Sequence, residues 1–321
     1  MKQRRLFIGW APQSRRSQML AEGLDAGLHM LSRLKHRSPW YAPLKYPWLA
    51  LDTWRLLNRV RPEVAFVQNP PPLLPLVVWL FSLRHPVALV IDHHSAAFGR
   101  AWVWMLPVQQ FLARWARLNI VTNQRWQALI ESWGGEAMIL DDVPTQFPAS
   151  KPYPLQGKAS VAVVSSFAPD EPLETVVAAA ADLPDVHFYI TGDSKRASKT
   201  LLTQAPDNVT FTGFLPDGDY LSLLRSASAV MVLTTRDHTN QRGACEAVWL
   251  GRPLITSDWP VLKALFNRGT VHVPNTVQGI EAGVLRALEN GPALSQEMLQ
   301  LQDARREAWQ AVSRKLETIL G

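Results

Sequence analysis

The 321-residue sequence predicts an α/β protein of two doubly wound, Rossmann-like domains facing a central cleft. Short apolar runs alternate with stretches of helical periodicity along most of the chain, a pattern that builds parallel sheets covered by helices on both faces. The length exceeds the ~100–200 residues of an ordinary single domain. A segment from Asp141 to Gly157 carries four prolines and interrupts the alternation near the middle, as a linker does. The chain therefore divides into 1–150, 151–295 and a closing amphipathic helix, 296–321, that in such a fold packs back toward the first domain.

The elements follow in order. Arg5 to Gly9 reads as a first strand, and Ser14 to Ser17 opens a helix expected to reach about Leu34. Val64 to Gln68 is a buried strand, Asn69 to Pro72 a loop, and Leu73 to Leu83 a helix. Strands at Val87–Asp92, Asn119–Thr122 and Ala137–Leu140 follow, the last two flanking a helix at Gln124–Trp133. The second half repeats the alternation: strand Ser160–Ser165, helix Glu171–Ala181, strands Val186–Thr191 and Val209–Phe211, helix Asp217–Ala227 and strand Ala229–Leu233. A helix then begins near Gly243 and is closed by Gly251 and Pro253, before the apolar run at Leu254 to Thr256.

Composition narrows the function classes. With 47% hydrophobic and 19% charged residues, the chain belongs among globular proteins and not disordered ones. One cysteine, Cys245, supports neither an internal disulfide nor a thiolate metal cluster, in keeping with a reducing, cytoplasmic setting. The N-terminus does not read as a signal peptide, and the longest apolar stretch, Pro70 to Leu83, is shorter than the roughly 20 residues of a spanning helix. Charge is uneven. Residues 1–150 hold 17 Lys and Arg against 9 Asp and Glu, while 151–321 hold 16 against 18, and ten of the 13 Trp lie in the first half. Basic residues with Trp point to peripheral contact with an anionic membrane. Nucleic acid is not expected, because no nucleic-acid-binding motif accompanies the charge. Leu31 to Arg61 concentrates the signal, with Trp40, Trp48 and Trp54 among Lys35, Arg37, Lys45, Arg55 and Arg59. Arg100 to Arg117 is a second such stretch, read first as a core helix with a basic face.

Residues 234–258, TTRDHTNQRGACEAVWLGRPLITSD, carry the chemistry. A polar loop holding Arg236 and Arg242 leads from a buried strand into a helix start at Gly243 and Ala244. Unpaired amides and the positive dipole end at such a start attract anions, and guanidinium groups fork onto phosphate oxygens. Glu246, one turn inside, is placed to accept from ribose hydroxyls. These residues resemble the donor-binding segment of family 4 glycosyltransferases and bacterial relatives of GT-B architecture, with Thr-Arg-Asp before the loop and Arg-Gly before the helix. The resemblance is specific from Ser160 to Asn275 and implies a metal-independent hexosyltransferase with no cofactor, its donor a UDP- or GDP-sugar. In that family a Glu eight positions before a second Glu approaches the donor sugar, and the second binds the ribose. Glu246 matches the second, whereas His238 stands at the first. The Arg and Lys usual after the first donor-domain strand are replaced by SSFAPDEPLE at 165–174, so Arg236 and Arg242 are expected to supply that charge. The resemblance also implies phosphate contacts from Ser165 and Ser166, a strand end at Gly192 and Asp193, and a nucleobase contact at Phe214 and Leu215.

In the first half Asp92, His93 and His94 lie at the carboxyl end of a strand, where ligands of doubly wound sheets collect. IDHHSAAF at 91–98 resembles the Asp-x-His-Asn segment of related bacterial glycosyltransferases, with His94 at the family's His. A group titrating near neutrality suits a proton acceptor or a donor-sugar contact, which makes His94 a catalytic candidate. Asp92, at the same strand end, and His238, at the position of the family's first Glu, complete the catalytic set. Arg15 and Arg16, just after the first strand, are candidates for an acceptor phosphate. The expected reaction moves a sugar from a nucleoside diphosphate to a hydroxyl of a lipid-linked or polysaccharide precursor, with retention. A nucleotide-sugar epimerase of the same fold and a non-catalytic nucleotide-sugar-binding protein are the alternatives.

Overall fold

The computed structural model describes residues 5–34, 39–140 and 142–320. Lys35, Arg37 and Asp141 lie outside the described residues, as do Met1 to Arg4. Two compact units emerge, one of Met1–Val143 with Ala308–Gly321, the other of Pro144–Glu307.

The first unit contains β1 (Arg5–Gly9), α1 (Arg15–Gly23), β2 (Gly27–Met30), α2 (Ala42–Val60), β3 (Val64–Asn69), α3 (Leu73–Ser82), β4 (Ala88–His93), α4 (Leu106–Trp115), β5 (Leu118–Val121), α5 (Gln124–Ser132) and β6 (Ala137–Ile139). Its six strands are parallel in the order β2-β1-β3-β4-β5-β6. Alternation along each strand sends side chains to opposite faces. Leu6, Ile8, Ala65, Val67, Leu89 and Ile91 meet α2, α3 and α4. Phe7, Phe66 and Val90 meet α1 on the other face, where the two Phe rings stack at 6.2 Å between centroids. Burying a side chain of that size stabilises by ~1.5–3 kcal/mol.

The helix expected from Ser14 to Leu34 is shorter, and its second part is a strand. Ser14 caps α1 by accepting from the Ser17 amide, and Asp25, with φ of 48°, turns the chain out of the helix. Gly27–Met30 then pairs with β1, Leu6 opposite Gly27 through Gly9 opposite Met30. Four residues at a sheet edge are too few for a period of two to stand out from a helical pattern.

The second unit contains β7 (Ala159–Val163), α6 (Leu173–Ala181), β8 (Val186–Thr191), α7 (Lys199–Thr203), β9 (Val209–Gly213), α8 (Asp217–Ser226), β10 (Ala229–Val232), α9 (Arg242–Trp249), β11 (Leu254–Ser257), α10 (Pro260–Leu265), β12 (Thr270–Val273) and α11 (Val277–Glu289). Its parallel order is β12-β11-β10-β7-β8-β9. Val161, Val163, Phe188, Ile190 and Met231 face α6 and α11, while Ala162, Tyr189, Val230 and Val232 face α8 and α9.

A last helix, α12 (Gly291–Leu320), contributes to both cores. Met298 and Leu301 are buried in the second unit, where Gln302 Nε2 donates to the Val248 carbonyl at 2.6 Å. Beyond Ala308, Leu316 is buried among the side chains of the first unit, and Arg5 Nη1 donates to Glu317 Oε1 at 2.7 Å. No helix among the described residues is long and apolar enough to cross a membrane.

Close packing of α11 on β12 depends on Gly283, where a Cβ would lie 2.2 Å from Cγ1 of the buried Val273. Gly283→Ala gains up to ~1 kcal/mol of helix propensity. The overlap with a stiff, buried Val should cost about 1–3 kcal/mol, so net destabilisation is expected in chemical denaturation. An unchanged or raised midpoint would show that β12 yields freely.

Candidate functional site

In the second unit β7 and β10 are neighbours, yet the chain leaves β7 toward β8 on one side and β10 toward β11 on the other. Loops that diverge in this way leave a crevice at the carboxyl ends of the strands, the usual ligand position in doubly wound sheets. Ser165 and Ser166 follow β7, and residues 234–241 follow β10. Gly192 with Asp193 follows β8, and Phe214 with Leu215 follows β9. The donor-site candidates of the second unit are thus gathered along one sheet edge.

The loop after β10 is held from below. Asn275 Nδ2 and Trp259 Nε1 both donate to the Thr234 carbonyl, at 2.9 and 2.8 Å. Ser257 Oγ accepts from the Thr234 amide, and the Asp170 carbonyl accepts from the Thr235 amide at 2.7 Å. Gln241 Nε2 reaches back to the Leu233 carbonyl. With both ends tied, the loop presents its middle. Arg236 is 67% exposed, with Nη2 3.8 Å from Asp170 Oδ1, so its guanidinium is accessible to an anion. His238 sits at φ of 60°, a left-handed conformation uncommon outside Gly and Asn, and its Nε2 lies 2.9 Å from Asp237 Oδ2.

Gln241 provides no side-chain hydrogen bond to cap α9. Its carbonyl accepts from the amides of Ala244 and Cys245 instead, at 3.1 and 3.4 Å. Gly243 lets the helix start pass close to β7, since a Cβ there would come 2.6 Å from Val164. Ala244 is fully buried and serves packing. Arg242 Nε lies 3.7 Å from Glu246 Oε1, and Tyr220 donates to Glu246 Oε2 at 2.6 Å. Glu246, almost fully buried, is thereby oriented from two sides. Tyr220 is a partner that sequence reasoning misses, for nothing in its helical context distinguishes it.

Ser165 and Ser166 do not stand open. Ser165 Oγ donates to Glu171 Oε2 at 2.7 Å, Ser166 Oγ donates to Oε1 at 2.8 Å, and the amides of Ser166 and Ala168 donate at 2.9 and 3.1 Å to Oε2. The donors expected to meet a phosphate hold an internal carboxylate instead. Such a nest of amides and hydroxyls binds anions generally. Glu171 belongs to the very stretch that lacks the family's Arg and Lys, and the acidic character of that stretch is the signal available in the sequence. Gly192, with φ of 106°, is required by the backbone, because a Cβ there would lie 2.3 Å from the Ser165 carbonyl oxygen. Asp193 caps a 3₁₀ turn by accepting from the Lys195 amide. Phe214 is 75% exposed, whereas Leu215 packs on the core beside Tyr220.

In the first unit the ligand-side crevice lies at the ends of β1 and β3, with β4 adjacent. Asp92 is fully buried at the end of β4. Arg16 approaches it with Nη2 2.8 Å and Nε 3.0 Å from Oδ1, and the same Nη2 donates to the Leu140 carbonyl. His94 Nε2 lies 3.0 Å from Asp92 Oδ2. Burial alone would push the Asp92 carboxyl up, yet the Arg16 guanidinium and His94 hold it well below the usual carboxylate range. Arg16 is therefore engaged in neutralising Asp92, and Asp92 orients His94 from below. Of the three, His94 has the most exposed side chain, at 23% against 16% for Arg16 and none for Asp92. Arg15 begins α1 and is half-buried.

His93 is a separate matter. Asn119 Nδ2 donates to the carbonyls of Ala113 and Glu136, at 2.9 and 3.0 Å, which turns its oxygen toward the imidazole. His93 Nε2–H thus donates to Asn119 Oδ1 at 2.9 Å, and Nδ1 accepts from Asn69 Nδ2 at 3.0 Å. Burial lowers the imidazole to about 4, outweighing the opposing pull of the Asn119 bond and of Asp92. His93 is a neutral structural residue locked in one tautomer.

Several known proteins are similar to this chain in sequence or in fold. Residues 157–301 match a family model described as group 1 glycosyl transferases. The human chitobiosyldiphosphodolichol beta-mannosyltransferase is 26% identical over 202 residues, covering 58% of this chain and 42% of that protein. The chain thus spans about two fifths of that relative's length. In fold, the sucrose-phosphate synthase of Thermosynechococcus elongatus matches with a TM-score of 0.71 at 17% identity, covering 98% of each chain. The Anabaena HepE protein in complex with UDP and glucose matches with 0.71 at 15%, covering 98% of this chain and 99% of that one. In its second unit and in its fold the chain resembles GT-B glycosyltransferases.

The buried His93 should make the protein acid-sensitive in a defined window. The folded value, about 4, lies below the unfolded ~6.5, so the unfolded chain binds the extra proton. This contribution is complete above pH ~6.5 and is lost as pH falls toward 4, amounting to about 3 kcal/mol. Asp92, also depressed, adds its loss only below its unfolded value of ~3.9. Denaturant midpoints measured from pH 7 to 4.5 should fall in the wild type and flatten in His93→Gln. An equal slope in both would assign the acid sensitivity elsewhere.

Proposed function

We propose that the protein is a glycosyltransferase that moves a sugar from a nucleoside diphosphate to an acceptor hydroxyl. The observation that carries this reading is the start of α9 close to the end of β7, with the exposed Arg236 on the loop that leads into it, Arg242 in its first turn and Glu246 held by Tyr220 one turn in. In the reaction the bond from the anomeric carbon to the diphosphate oxygen breaks, and a bond to the acceptor oxygen forms. The leaving diphosphate gains negative charge, which two guanidinium groups and a helix start can stabilise without a metal ion. Glu246 accepts from the ribose hydroxyls, and Phe214 offers its exposed ring to the base.

Glu171 occupies the donors after β7, so the cationic side of the phosphate site falls to the loop after β10. His94, oriented by Asp92, is the candidate to contact the donor sugar or to accept the hydroxyl proton. His238 is placed by the same loop that carries Arg236, in the position where a Glu stands in the resembling family. We take the donor to be a UDP- or GDP-sugar, the outcome to be retention, and the acceptor to be a lipid-linked or polysaccharide precursor reached at the cytoplasmic face of a membrane.

The test is thermal stabilisation by a panel of nucleoside diphosphates, with product formation from the corresponding sugar nucleotides. One nucleotide at a hundredfold excess over its Kd should stabilise by ~2.7 kcal/mol. Arg242→Ala should weaken that nucleotide at least about tenfold through a lost charge-assisted bond, and Glu246→Ala should weaken nucleosides bearing an intact ribose. Each shift is read against the variant's own ligand-free midpoint, because Glu246 is buried. Interconversion of the sugar without an acceptor would favour an epimerase, and absence of any shift would remove the donor site from the second unit.

A further inference from the structure

We propose that the outward stripe of α2 is a docking surface for an anionic lipid bilayer. The proposal deepens the reading of an enzyme acting on a lipid-linked acceptor and rests on it for purpose, while its structural basis is independent. The inner face of α2 is fully committed. Leu49, Thr53, Leu56 and Leu57 are buried, Thr53 accepts from Trp10 Nε1 at 2.9 Å, and Trp54 packs edge-on against Phe81 at 5.2 Å. These contacts fix the helix without help from its other side.

That other side is apolar where a soluble helix would be polar. Trp40, in the turn before the helix, and then Leu44, Trp48 and Leu51 follow at spacings of four, four and three residues, which places them along one line. Their exposures are 89%, 60%, 53% and 39%. The same line continues four and eight residues past Leu51 into Arg55 and Arg59, both exposed. One helix therefore offers an aromatic and aliphatic stripe that runs into a cationic end. α3 and α4 cover the same face of the sheet and add exposed Leu83, Trp104 in the turn before α4, and Trp115.

The charge around the stripe selects the partner. Between residues 39 and 117 the sequence holds eight Lys and Arg against three acids, Asp52, Glu63 and Asp92. Asp92 is buried beneath Arg16, and Asp52 is held by Arg33 at 2.8 Å. Trp favours the bilayer interface, and basic residues near an acidic headgroup layer add attraction that salt weakens. A protein partner would be expected to meet a stripe bordered by both signs of charge. Here the exposed charges at the end of the stripe are Arg55 and Arg59, and the one acid of α2, Asp52, is paired with Arg33.

Sedimentation with unilamellar vesicles tests this, since 13 Trp make fluorescence an ambiguous probe. The 321-residue chain should pellet with phosphatidylcholine vesicles containing phosphatidylglycerol, bind pure phosphatidylcholine weakly, and be released by salt. Leu44→Ser with Trp48→Ser should lower partitioning at least about tenfold, and Arg55→Glu with Arg59→Glu should abolish the preference for phosphatidylglycerol. These side chains are exposed, so both variants should keep the wild-type thermal midpoint and the wild-type response to nucleotide. No binding to anionic vesicles at low salt overturns the proposal, as does undiminished binding by the Leu44 and Trp48 variant. Concentration-dependent self-association of the wild type that this variant removes would assign the stripe to a second copy of the chain. A missing nucleotide response with vesicle binding intact would count against the transferase reading alone.

Discussion

A parallel sheet cannot be closed by hairpins, so every strand must exit into a crossover, and the carboxyl end of each strand is left to loops. Where the order of strands reverses, two such loops part company. That constraint positions the candidate residues that follow the strands of both units. It sets Ser165 and Ser166 after β7 beside the 234–241 loop after β10, and it sets His94 at the end of β4, next to the reversal of the first sheet. The helices and cores on either face serve to hold those edges still. Gly192 and Gly243 are the points at which the edges come closest, each sparing a contact that a methyl group would block.

Carboxylates at these edges are managed in three different ways. Asp92 is fully buried and balanced by a guanidinium and an imidazole, which makes it a fixed negative centre that aims His94. An isolated buried carboxylate would cost several kcal/mol, so Arg16 is needed for folding before it is available for anything else. Glu246 is oriented by Tyr220 and Arg242 and keeps its place one turn inside α9. Glu171 is received by hydroxyls and amides alone. The third arrangement shifts the electrostatics of the second unit. A negative group fills the nest after β7, while the cationic side chains Arg236 and Arg242 lie on the loop after β10 and at the start of α9.

The uneven charge of the two halves has a structural counterpart. In the first unit Asp52 is paired with Arg33 and Asp92 with Arg16, whereas Arg55 and Arg59 of α2 are exposed beyond Trp48 and Leu51.

Much of this organisation is legible in the order of the amino acids. Periodicity identifies the strands that end at the two reversals, and turn chemistry at Gly251 and Pro253 marks the end of α9. What escapes is short or long-range. β2 has four edge residues and reads as the continuation of a helix, because the left-handed turn at Asp25 is not evident from its identity. Arg16 reads as a phosphate ligand because its partner lies 76 residues away, and Ser165 reads likewise although Glu171 is only six residues on. The sequence by itself determined which residues follow each strand, since that is a matter of local order and period. Only the tertiary structure decided which strands are neighbours, and hence which loops share a crevice and which charges are already neutralised, because hydrogen-bond partners across a sheet are chosen by packing and not by position along the chain.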